Sequence, residues 1–218
     1  MIDIKRFKTL VFDCDGVILD SNQVKTNAFY DVTLSYGEKA AQAFVDYHTS
    51  NGGISRYKKL AYFLEKIAAE VSPDKTGPGM DELLTAYAEK VRHGLLTCQV
   101  ASGLHELRRQ TEARWLIVSG GAQEELREVF AERGLAELFD GGIFGSPDTK
   151  EEILARELGS NNIRQPALFL GDSKYDYAAA NQAGLDFVFL SRWTEVEQAY
   201  SWCEENNILS LPDISSLC

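Results

Sequence analysis

From residue 100 to residue 206 the chain alternates between two hydrophobic periods, and this constrains its fold more than any other feature. Short apolar runs at Trp115–Val118, Gly142–Phe144, Ala167–Leu170 and Phe187–Leu190 are each bounded by turn residues. Runs of that length and composition read as strands buried on both faces. Helix-period segments at Leu104–Glu112, Gln123–Glu132, Lys150–Leu158, Tyr175–Ala183 and Glu195–Asn206 alternate with them. Strand–helix alternation predicts an α/β fold built on a doubly wound parallel sheet. One more strand is predicted well upstream, over Lys8–Cys14, and belongs to the same sheet. The tail from Leu209 to Cys218 reads as a partly ordered terminus.

The segment between that first strand and the alternating region has a different texture. Helical periodicity runs through Asn22–Tyr36, Glu38–Thr49, Ser55–Ala69 and Met80–Arg92. Gly37, Asn51-Gly52-Gly53 and the stretch from Ser72-Pro73 to Gly79 punctuate it. The expected organisation is therefore an α/β core from residues 1–19 and 97–218, with an all-α domain, residues 20–96, inserted after the first strand.

Composition narrows the partners. The 218 residues are 44% hydrophobic, enough for one good core and a modest insertion. A formal net charge of −11 with no long Lys/Arg run argues against nucleic acid and anionic membrane surfaces as partners. Cys14, Cys98, Cys203 and Cys218 show no C-x-x-C spacing, so neither zinc nor a disulfide framework is expected. The first residues from Met1 to Arg6 lack a signal-type apolar region, and no segment approaches the ~20 apolar residues of a membrane span. A cytoplasmic location is the expectation.

In open α/β sheets, ligands bind at the carboxyl ends of the strands. The polar residues of this chain gather there. The first strand ends in Asp13-Cys14-Asp15-Gly16, the second in Ser119-Gly120-Gly121, and the fourth in Gly171-Asp172-Ser173 with Asp176 one helical turn on. Strand alternation turns Asp13 and Asp15 the same way and sends Cys14 into the core. Two neighbouring acids repel and lose hydration unless a cation or a shared proton compensates. Such a strand end suits a hard metal ion and acid–base chemistry.

Taken together, these landmarks resemble the haloacid dehalogenase superfamily of phosphohydrolases and phosphotransferases. Asp13-Cys14-Asp15-Gly16-Val17 is similar to its first motif, and Ile117-Val118-Ser119-Gly120 to its second. Lys150 fits the lone lysine of the third, and Gly171-Asp172-Ser173-Lys174-Tyr175-Asp176 the fourth. The resemblance implies a phosphatase acting through an aspartyl-phosphate, with Asp13 as nucleophile and Asp15 as general acid and base. It implies Mg²⁺ on Asp13, the backbone carbonyl of Asp15 and Asp172, with Asp176 completing the acidic site. Ser119 and the N–H of Gly120 are then expected to bind the transferring phosphoryl group, and Lys150 to neutralise charge on it and on Asp13. The Asp15 pKa is expected to rise beside Asp13 if the metal does not fully offset the repulsion.

By the same resemblance, the inserted helical domain, 20–96, is a cap that closes over the site and favours small phosphorylated metabolites. Its loop Asn51–Tyr57 resembles the substrate-gripping loop of β-phosphoglucomutase, which points to Gly53, Ser55 and Arg56 as substrate contacts, against a plain capped helix with a solvated arginine. Lys58 and Lys59 follow in the sequence, with one expected toward the cleft. Lys25, where relatives often carry a histidine, reads either as an anion-binding residue or as a solvated helix residue. Asn22 replaces an acidic residue of many relatives. His48, His93 and His105 show no ligand spacing and read as structural or surface residues. Hydrolysis of a small phosphate ester, with sugar phosphates among the candidates, is the leading expectation. A sugar phosphomutase would share every core residue. A phosphonate hydrolase would need a cap lysine such as Lys25, Lys58 or Lys59, and a non-catalytic binding protein would have lost some of the acids. Oligomeric state is not read from the sequence.

Overall fold

A computed structural model describes residues 2–218; Met1, the first residue of the expected core segment, lies outside the described residues. In chain order the elements are β1 Thr9–Phe12, α1 Asn22–Thr33, α2 Glu38–Ser50, α3 Arg56–Tyr62, a π-helical segment Phe63–Ala68, α4 Ala69–Val71 and α5 Met80–Thr97. Then follow α6 Leu104–Gln110, β2 Arg114–Ala122, α7 Gln123–Glu132, β3 Gly142–Ser146, α8 Lys150–Gly159, β4 Ala167–Gly171, α9 Lys174–Gln182, β5 Asp186–Leu190, α10 Ala199–Glu205 and β6 Leu209–Leu211. Among the described residues no helix is long and apolar enough to cross a membrane.

The strands form one parallel sheet in the order β3-β2-β1-β4-β5-β6. β1 is therefore a central strand although it is first in sequence. Leu10 faces Trp115 on one side and Leu168 on the other, and Phe12 lies between Ile117 and Leu170. All four β1 residues are buried, as a strand covered on both faces requires. The sequence order reverses between β1 and β4, which opens a crevice at their carboxyl ends. The amide of Asp13 donates to the carbonyl of Leu170 at 2.9 Å, which brings the end of β1 beside Asp172.

The helices from α1 to α5 stack over that crevice. Phe29, Phe44, Phe63 and Tyr87 meet at ring-centroid distances of 4.2–5.1 Å, in a hydrophobic cluster continuous with one face of the sheet. The chain leaves and re-enters the sheet layer through a short clasp: Asp20 N–H donates to Gln99 O at 2.9 Å, and Ala101 N–H to Ile18 O at 2.8 Å.

Two expectations are corrected. The tail is not loose: Leu209–Leu211 pairs with Val188–Leu190 as a sixth strand, and Ile214 and Leu217 are buried. Asp213 holds it, accepting from Arg192 at 2.8 Å and from Ser215 N–H at 3.0 Å. The last helix begins at Ala199 rather than Glu195. The Thr194 hydroxyl donates to the Asp172 carbonyl at 2.5 Å and accepts from Val196 N–H at 3.1 Å. That anchorage keeps the segment a loop and turns Glu195 inward.

Candidate active site

The end of β1 is set by a tight turn. Ile18 and Leu19 donate to the Cys14 carbonyl, and Gly16 adopts φ +76°, a conformation that favours glycine. A side chain at Gly16 would also strike Asn22 and the carboxylate of Asp172. The turn buries Cys14 in the core and leaves Asp13 and Asp15 above it.

At the end of β4, Ser173 caps α9. Asp176 Oδ2 accepts from the Ser173 hydroxyl at 2.6 Å, from Ser173 N–H at 3.0 Å and from Asp172 N–H at 3.2 Å. This capping box fixes Asp176 against the β4 turn. One carboxylate oxygen from each of Asp13, Asp172 and Asp176 lies within 4.8 Å of the others, and all three residues are buried. Lys150, the first residue of α8 behind its Thr149 cap, reaches into this cluster. Its ammonium pairs with Asp176 and stands 2.8 Å from Asp13 Oδ1.

Burial dominates the electrostatics. It pushes Asp13 up to about 7 against the pull of Lys150, with the charges of Asp176 and Asp15 adding to the rise. Burial likewise holds Asp172 well above the ordinary carboxylate range, helped by Asp13 and Asp176. Asp13 Oδ1 is buried, and its partner is the Lys150 ammonium at 2.8 Å. Three hard carboxylates gathered within 4.8 Å of one another, with pKa values raised by burial on Asp13 and Asp172, fit a hard divalent cation.

Asp15 behaves differently from its expectation. Its carboxylate is not part of the triad; it accepts from Ser21 at 2.6 Å and pairs with Lys25 of α1. Burial pushes its pKa up, but the Lys25 charge and the hydrogen bonds from Lys25 and Ser21 outweigh that, and the net shift is downward. The raised acid of the pair is Asp13. Lys25 is thus a buried ion-pair partner rather than a solvated residue.

Ser119 is also buried, and its hydroxyl accepts from Gly121 N–H at 3.0 Å. Gly120 and Gly121, not Ser119, line the cavity above Asp13 and Asp172. Gly120 meets the helical block directly: a Cβ there would fall 2.9 Å from the carbonyl carbon of Gly53. Gly53 itself has φ +80° and packs beside Ser173 and Tyr175. Ser55 caps α3 and lines a second hollow with Lys58 and Lys150, outside the main cavity.

Arg56 departs from its expected role. Its guanidinium forks onto Glu125 of α7, with one contact at 3.1 Å, and lies 4.8 Å over the Tyr87 ring. Two of its N–H donors face a carboxylate from the sheet layer, and the residue still lines the cavity. Glu125→Gln should strand a buried guanidinium, costing about 3 kcal/mol and lowering the melting temperature by roughly 6–12 °C. Calorimetry checks this; an unchanged transition would mean the pair is not formed in solution.

Sequence reasoning missed His48 and Glu195, which line the cavity together with Lys25 and Lys59. His48 sits on the apolar stripe of α2 and carries no ligand spacing, so nothing local marks it. Lys59, not Lys58, is the lysine of that pair that lines the main cavity.

Comparison with known proteins agrees with this picture. The family model described as a haloacid dehalogenase-like hydrolase matches residues 7–184. No curated protein sequence matches significantly. Among solved structures, the chain resembles a predicted phosphoglycolate phosphatase from Haemophilus somnus, with TM-score 0.74, 16% identity, and 99% and 98% of the two chains covered. It also resembles a haloacid dehalogenase-like family hydrolase from Streptococcus pneumoniae, with TM-score 0.67, 19% identity and 98% of each chain covered. A protein described as a putative beta-phosphoglucomutase from Thermotoga maritima gives TM-score 0.64 at 17% identity, with 96% of each chain covered.

Proposed function

The chain belongs to the haloacid dehalogenase-like hydrolases, and from that premise we propose that it is a Mg²⁺-dependent phosphatase of a small phosphorylated metabolite. The observation that carries the reading is the buried Asp13–Asp172–Asp176 triad, at the foot of a cavity with Lys25, Arg56 and Lys59 in its walls. The domain division, 1–19 with 97–218 as core and 20–96 as cap, is part of the same proposal.

Asp13 attacks phosphorus, the bond to the leaving oxygen breaks, and an aspartyl-phosphate forms. Asp15 gives its proton to the leaving oxygen. In the resting site Lys25 keeps Asp15 ionised, and an arriving phosphoryl dianion raises its proton affinity by adding like charge. Water then attacks the phosphorus, Asp15 takes its proton, and phosphate leaves with Asp13 restored. Lys150 and the N–H of Gly120 stabilise charge on the phosphoryl oxygens. Ser119 acts through the end of β2, where its hydroxyl holds the Gly121 amide. Mg²⁺ held by Asp13, Asp172 and the Asp15 carbonyl, with Asp176 bracing them, would supply the positive charge that lets one anion approach another.

A screen of phosphorylated metabolites with and without Mg²⁺ tests the proposal. Steady phosphate release without a bisphosphate activator is expected. Isomer interconversion without release would establish the mutase instead, and binding without turnover would leave only a non-catalytic binding protein.

A further inference from the structure

Four cationic side chains are buried around this cavity, and three of them face a carboxylate. Lys25 pairs with Asp15, Arg56 with Glu125, and Lys150 with Asp13 and Asp176. Lys59 is the exception. It is 1% exposed, and among the described residues no carboxylate lies within ion-pair distance of it. Its Nζ contacts His48 Nδ1 at 2.6 Å and the His48 carbonyl at 3.4 Å.

The surrounding hydrogen bonds fix the direction of these contacts. The Thr26 hydroxyl donates to Glu195 Oε1 at 2.8 Å, so toward His48 Nε2, 3.1 Å away, it is an acceptor. His48 Nε2 therefore carries the hydrogen, and Nδ1 accepts from Lys59. Burial and the charges of Lys59 and Lys25 hold His48 well below its ordinary pKa, consistent with a neutral ring. Glu195 spends its carboxylate on Thr26 and stands 3.9 Å from His48, so it acts on Lys59 only at a distance. The result is an amine aligned by a neutral relay and left without a counter-ion, a setting in which the charged form is costly until an anion supplies the opposite charge.

We propose that Lys59 binds a second anionic group, carboxylate or phosphate, on the leaving side of the substrate, and so selects short phosphate esters that carry one. This inference rests on the phosphatase reading above. Lys59 lines the same cavity as Asp13, Asp15 and Asp172, so one small molecule can reach both ends. Burial, with Lys25 next, lowers the Lys59 pKa to about 7, and an incoming anion reverses that shift.

The test compares kcat/KM for three esters of matched two-carbon reach: 2-phosphoglycolate, ethane-1,2-diol bisphosphate and 2-hydroxyethyl phosphate. The last lacks the second anion. The wild-type protein is expected to favour one of the anionic esters over the neutral one by roughly 30-fold or more, and which one identifies the anion. Lys59→Gln keeps a donor for His48 Nδ1 but removes the charge. It is expected to bring the ratio to within about threefold, chiefly through KM. A purely structural role would slow all three esters alike and leave the ratio intact. Lys59→Met, read the same way, serves should the glutamine variant fail to fold, and the wild-type ratio tests the inference with no variant at all. Hydrolysis of all three without preference, or a preference that survives the loss of Lys59, overturns the inference and leaves the phosphatase reading standing. Hydrolysis of none, with other phosphate esters also inert, overturns the phosphatase reading and the inference with it.

Discussion

Asp13→Asn is expected to lower phosphatase kcat by about 10⁴-fold or more without lowering the melting temperature of the metal-free protein. The kinetic half follows from the proposed role. The amide has nearly the size of the carboxylate but offers no anionic oxygen to attack phosphorus, and no neighbouring group can replace it. Asp15 is turned to Ser21 and Lys25, Asp176 is held by Ser173 and Lys150, and Asp172 accepts from Asn22 at 2.7 Å. The stability half follows from burial. Asp13 is pushed up to about 7 because its charge is poorly housed, so a neutral amide removes a strain that the acid imposes. Lys150 keeps Asp176 as its partner, and no unpaired ammonium results. The two measurements constrain each other: activity lost together with a collapsed transition would point to misfolding rather than a missing nucleophile. Wild-type-level turnover, in a variant preparation that mass spectrometry shows has not deamidated back to aspartate, would end the nucleophile assignment.

Much of this site is legible before the fold is known, for a topological reason. In a parallel sheet every strand delivers its carboxyl end to the same edge, so polar residues after apolar runs converge whatever the strand order. That logic brings Asp13, Gly120 and Asp172 to one place. The strand order itself, with β1 between β2 and β4, is not written in local periodicity, and neither is the 4.8 Å proximity within the triad. The helices of the inserted block are legible where a 3.6-residue stripe marks them, as Ala41, Phe44 and His48 do on α2 and Leu83, Tyr87 and Val91 on α5. β6 is not, because three residues cannot display a period.

The errors at the site share another cause. The sequence neighbour of Asp15 is Asp13, which argues for a raised pKa, but the charge that decides it comes from Lys25, on a helix that folds back over the strand end. The loop around Arg56 suggests a free anion fork, but Glu125, far along the chain, pairs with it. His48 and Lys59 lie on adjacent helices and meet only through packing. Sequence shows which groups can do chemistry; their partners are decided by tertiary contact.

Metal removal has the other large expected effect, and its pH dependence has a definite sign. Asp13 is raised in the folded protein from 3.8 to about 7, and burial holds Asp172 well above the ordinary carboxylate range. Between those values the metal-free folded state holds protons that the unfolded chain has released. Its stability therefore falls as pH rises through that window, and the cost persists above 7. A divalent cation replaces those protons, so its stabilisation should be small at pH 5 and large at pH 8. At a hundredfold excess over Kd the gain is about 2.7 kcal/mol, or roughly 5–11 °C for a chain of this size. Scans after chelation, with and without MgCl₂ at the two pH values, check this, and turnover should disappear with the chelator and return with the metal. Asp172→Asn should abolish the pH 8 shift, because it removes a proposed ligand while leaving the Lys150 pairs in place. Equal shifts at both pH values would mean that the cation binds outside the raised acids. Turnover that survives exhaustive chelation would mean that Lys150 alone compensates Asp13, since it is the other positive charge in direct contact with the triad.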